Sequence, residues 1–74
     1  MYVVEFLAQS NPEIWIEFTG FDRSSGTIPV PTWEIYLDTV YFAFLEDANN
    51  LINKLTNGVY DYSYDDLRIR KISD

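Results

Sequence analysis

The chain has 74 residues, 12 of them acidic and 5 basic, for a net charge of −7. That length fits one small domain, and the charge argues against direct binding to nucleic acid or an anionic membrane. Apolar residues make up 47% of the chain and include two Trp, six Tyr and five Phe, which supplies a dense core and argues against intrinsic disorder.

In chain order, residues 2–8 are β-branched and aromatic with no capping signal, and predict a strand. Glu5 interrupts the N-terminal apolar run and no basic region precedes it, so the start of the chain does not read as a signal peptide. No apolar run approaches the roughly 18 residues of a membrane span, and the cytoplasm is the expected compartment. Ser10-Asn11-Pro12-Glu13 predicts a type I turn. Residues 13–19 alternate, with Ile14, Ile16 and Phe18 on one face and Glu13, Trp15, Glu17 and Thr19 on the other. The two strands form a hairpin. Residues 20–32 hold two of the three Gly and two of the three Pro, and predict a long loop.

Residues 33–45 carry two signals. Trp33, Tyr36, Leu37, Val40, Tyr41, Phe44, Leu45 and Ala48 fall at helical spacing, and one long helix over 32–57 is an alternative. The residue types favour a strand over 34–44 instead, and the strand is the preferred reading. From Glu46-Asp47 an apolar stripe of Ala48, Leu51, Ile52 and Leu55 predicts a helix, closed at Asn57-Gly58. Residues 59–72 predict a last strand with a bend near Asp65-Asp66. The expected fold is α+β: a small antiparallel sheet in the order β-β-β-α-β with one helix on one face. The other sheet face is then either polar or covered by a partner, with Trp15, Tyr36 and part of Tyr60–Tyr64 as candidates to lie on it.

Catalytic chemistry finds little support. With no His, none of Ser10, Ser24, Ser25, Ser63 and Ser73 has the usual activating base. Without Cys there is neither a disulfide nor a thiolate metal site. The acidic pairs Glu46-Asp47 and Asp65-Asp66 read as helix-end and turn charges. Asp61, Asp65 and Asp66 do not match the calcium-loop spacing, and no Gly-rich phosphate loop is present. No enzyme activity, cofactor or metal is expected. Arg68 and Arg70 share a strand face and are expected to pair with carboxylates across the sheet.

The segment Tyr60-Asp61-Tyr62-Ser63-Tyr64-Asp65-Asp66 places three Tyr and three Asp in seven residues. Its simplest reading is Tyr on the core and Asp in water. Its functional reading is an interface, since Tyr buries area at low entropy cost and acids steer toward a basic partner. Charge is unevenly spread: residues 1–66 carry 11 acids and two bases, for −9, and residues 67–74 carry one acid and three bases, for +2. The candidate partner-binding residues are Trp15, Tyr36, Tyr60, Asp61, Tyr62, Tyr64, Asp65 and Asp66.

In size, charge and lack of chemistry the chain resembles the small acidic proteins that phages and mobile elements encode to inhibit host machinery, anti-CRISPR and other anti-defence proteins among them. The resemblance implies an inhibitor or modulator that blocks a basic protein surface, in the manner of a DNA mimic. Two alternatives stay open: a structural or assembly protein that forms a homodimer through sheet faces or edges, and a small-ligand binder that uses the long loop.

Overall fold

The computed structural model describes residues 1–24 and 26–72. Ser25 and Ser73, two of the five serines considered above, and the tail charge of Asp74 lie outside the described residues. The fold is α+β, with five strands in two antiparallel sheets and one helix packed against a sheet. Strands β1 (Tyr2–Ser10), β2 (Glu13–Glu17) and β5 (Leu67–Lys71) form one sheet in the order β2-β1-β5. Strands β3 (Gly20–Asp22) and β4 (Val30–Thr32) form a small hairpin, and helix α1 spans Leu45–Leu55.

β1 is the central strand, so both its edges are paired and both its faces meet other groups. That explains why its first half is apolar on both faces apart from Glu5: Val3 and Val4 point to opposite faces, and both are completely buried. The register sets Val4 and Phe6 beside Ile69 and Leu67, and Phe18 donates its N–H to Val4 O at 2.8 Å. This face packs on the stripe Ala48, Leu51, Ile52 and Leu55 of α1. Glu46 and Asp47 fill the first turn of the helix and Lys54 the last, both favourable to the helix dipole.

One short helix leaves part of that sheet face uncovered, and aromatic rings close the gap. Phe6, Phe18, Phe21, Trp33, Tyr60 and Tyr62 form one connected cluster, running from Tyr60 through Phe21 and Phe18 to Trp33, which meets both Phe6 and Tyr62, with touching ring centroids 5.2 to 6.2 Å apart. Hydroxyls hold the set: Trp33 Nε1 donates to Tyr62 Oη at 3.0 Å, and Tyr60 Oη donates to Pro29 O at 2.6 Å. Six of the 13 aromatic residues are placed here.

Four segments differ from expectation. The turn between β1 and β2 holds a cis Asn11–Pro12 bond, where a type I turn has it trans. The first hairpin's register also shifts between Leu7 and Gln9, and of the expected apolar face Phe18 is buried, Ile16 half-buried and Ile14, near the turn, 45% exposed. The expected long loop over 20–32 contains the β3–β4 hairpin. Thr19 N–H donates to Thr32 O at 2.9 Å, the two hydroxyls lie 2.8 Å apart, and Gly20 turns the chain with φ +120°.

Residues 34–44 form neither the expected strand nor the alternative long helix. β1 has no edge to offer them over most of its length, because β5 pairs one side and β2 occupies the other as far as Val4. Beyond it only Tyr2 is open, and there Phe42 makes an isolated bridge. A turn closed by Leu37 N–H to Glu34 O at 3.0 Å leads into this stretch. Finally, the strand expected over 59–72 covers only residues 67–71. Tyr60 and Tyr62 fold onto the aromatic cluster, and Ser63 caps a 3-10 turn at Tyr64–Asp66, close to the predicted bend.

Candidate protein-interaction surface

The second face of the sheet carries a charge ladder. Glu5, only 4% exposed, sits between β2 and β5, and β5 brings two guanidinium groups over it. Arg68 Nε donates to Glu5 Oε1 at 2.7 Å, and Arg70 Nε to Oε2 at 3.2 Å. Arg70 Nη2 reaches on to Glu17 Oε2 at 2.7 Å, whose other oxygen accepts from Thr39 Oγ1 at 2.7 Å. The hydrogen bond to Glu5 foremost, aided by both nearby negative charges, raises the Arg70 pKa above its ordinary value. The cross-strand pairing read from the sequence is therefore present, and this face is polar without needing a partner to neutralise it.

Trp15 lies on this face as expected. Its ring stacks under the Arg68 guanidinium, 4.0 Å from the centroid, and its Nε1 donates to Glu13 at 3.2 Å. Beside it, between the outer edge of β2 and the stretch 33–39, opens a cavity of about 370 Å³. Trp15, Glu17, Trp33, Glu34, Ile35 and Arg70 are among its walls.

The remaining candidates separate into two groups. Tyr60 and Tyr62 pack against the core and spend their hydroxyls inside the fold. Asp61, Tyr64 and Asp65 are exposed and Asp66 is half-buried in the 3-10 turn, while Tyr36 is 79% exposed. The segment Tyr60–Asp66 is thus mainly structural on its Tyr side and acidic outside.

The stretch the sequence reading assigned to the sheet is the one that faces water. Trp33, Val40 and Phe42 anchor it to the core, and Ile35 (91% exposed), Tyr36, Leu37, Tyr41, Phe44 (68%) and Leu45 project outward. Glu34, Asp38, Glu46 and Asp47 are exposed among them, and no ion pair engages these four among the described residues. Phe44 also stands at the N-cap of α1, where it offers no side-chain acceptor to the free N–H groups. Their residue types favour a strand over 34–44, the helical spacing of all but Ile35 supports the alternative long helix, and of the six only Tyr36 is among the candidate partner-binding residues. No signal in the sequence marks them as exposed.

Elsewhere on the surface, Asp22 accepts hydrogen bonds from the Ser24 hydroxyl at 2.6 Å and its backbone N–H at 2.9 Å, which lower its pKa. Among the described residues no three acidic side chains converge as metal ligands, and no helix is long and apolar enough to cross a membrane. In comparisons with known proteins, no family model, curated protein or solved structure matches the chain.

Proposed function

We propose that this protein works by binding another protein, as an inhibitor or modulator that occupies a basic-rimmed apolar groove on its partner. The stretch 34–47 carries this reading: six large apolar side chains stand in water there among four carboxylates that have no ion pair among the described residues. Apolar anchors in a charged frame are the composition of a binding surface, where the anchors supply affinity and the charges steer and align. Phe44 strengthens the reading, because a Ser or Asp there would cap the helix and an exposed Phe does nothing for the fold. The exposed anchors favour a protein groove over pure phosphate mimicry. A second copy of this chain fits less well, since a two-fold contact would set the acidic frame against itself.

The test uses two variants of the exposed stretch, Tyr41→Ser/Phe44→Ser and Glu46→Gln/Asp47→Asn. The immobilised wild-type protein captures its partner from a lysate of the encoding organism, and the purified partner is then titrated by calorimetry. Each variant is expected to raise the Kd about tenfold or more. A partner that binds both variants as tightly as the wild type would overturn the assignment of this surface.

A further inference from the structure

We propose that the cavity at the outer edge of β2 is a slot for one cationic side chain, an arginine or lysine of the partner. This rests on the protein-binding reading above and names the group the partner inserts.

Size is the first argument. About 370 Å³ lies at the lower end of the roughly 300–1,000 Å³ typical of ligand sites, which suits a single side chain and leaves no room for a dinucleotide. Charge is the second. Glu5, Glu17 and Glu34 line the cavity against one guanidinium, Arg70, and Arg70 is already held by Glu5 and Glu17. The Glu34 carboxylate has no ion-pair partner among the described residues. An anion would meet carboxylates at the wall, whereas a cation would find Glu34 open.

The aromatic walls give the third argument. Trp15 and Trp33 both border the cavity, and indole attracts cations more strongly than any other side-chain ring. The protein already uses this contact once, with Arg68 over Trp15 at 4.0 Å. Both indoles are fixed beforehand, Trp15 by Arg68 and Glu13, Trp33 by Tyr62 and the rings of Phe6 and Phe18. A flat guanidinium or a compact ammonium therefore enters a site whose walls need little ordering. Ile35 and Leu37 at the rim suit the methylene stem of such a side chain.

The experiment titrates the ¹⁵N-labelled full chain with three capped tripeptides, Gly-Arg-Gly, Gly-Lys-Gly and the neutral citrulline isostere, and follows the spectrum by NMR. The arginine or lysine peptide is expected to shift the Trp15 and Trp33 indole N–H signals, and the citrulline peptide is not. Glu34→Gln, at an exposed position, is expected to weaken that response about three- to fivefold. Equal response to citrulline, or shifts confined to residues away from the cavity, would overturn the slot. The Tyr41→Ser/Phe44→Ser variant lies outside the cavity and should keep the peptide response. If the peptides fail while partner binding still depends on that variant, only the slot is wrong. If the peptides behave as expected while partner binding ignores that variant, the slot stands and the exposed stretch is the wrong surface.

Discussion

Glu5 illustrates how one residue can be costly or cheap to lose depending on who is left behind. The carboxylate is buried, while Arg68 and Arg70 remain nearly half exposed at 44% and 46%. Glu5→Gln removes the charge and lets both guanidinium groups return to water, so its cost is expected near 1–2 kcal/mol. Arg68→Met/Arg70→Met strands the carboxylate in the sheet with no cation, and should cost about 3–5 kcal/mol. Urea denaturation of both variants measures the difference. A double Arg variant no less stable than Glu5→Gln would show that Glu5 is better solvated than its burial implies. Asp22 lies at the other extreme. Its lowered pKa adds stability only above the ordinary Asp value, and loses it as pH falls through the lowered one. The group is fully exposed, and no large acid sensitivity follows from it.

At the scale of elements, α1 is the part whose edges test the reading best. Phe44→Ser supplies the missing N-cap acceptor and removes an exposed ring, so the fold should gain about 1 kcal/mol, read as a higher melting temperature. The same change is expected to weaken partner binding, and a loss of stability would mean that Phe44 packs into the fold after all. Helix α1 and the β1–β2 hairpin are legible in the sequence because their residues answer to local rules: an apolar stripe with acids at its start, and two strand-forming runs around a Pro-bearing turn. The cross-strand Arg pairs are legible for the same reason, since pairing of opposite charges follows from the sheet itself. The stretch 34–44 is not legible, because its fate depends on how much of β1 its neighbours leave unpaired. Its residue types suit a strand, yet β2 and β5 already hold β1, and only Phe42 finds a place beside Tyr2. Tyr60 and Tyr62 fail for a related reason: alternation with Asp resembles a strand, and the demand for rings beyond the reach of α1 is a tertiary matter.

For the whole molecule the question is how a chain of net charge −7 stays folded with so few internal pairs. The ladder of Glu5, Glu17, Arg68 and Arg70 absorbs two carboxylates, and Lys54 lies over the Phe21 ring at 4.8 Å. Glu34, Asp38, Glu46, Asp47, Asp61 and Asp65 stay exposed without an ion pair among the described residues. Their mutual repulsion disfavours the compact state, and salt relieves it as the screening length drops from about 10 Å at 0.1 M to about 3 Å at 1 M. The buried Glu5 contacts are screened much less. Adding sodium chloride should therefore raise the melting temperature while it weakens binding to a basic partner, so the two responses run in opposite directions. Both are measurable on one preparation, by thermal melts and by titration of the captured partner. A melting temperature that falls with salt would assign the balance to the ion-pair ladder. Binding that does not weaken with salt would leave the apolar side chains of the stretch 34–47 to carry it alone, and the acidic frame would then serve solubility and no partner.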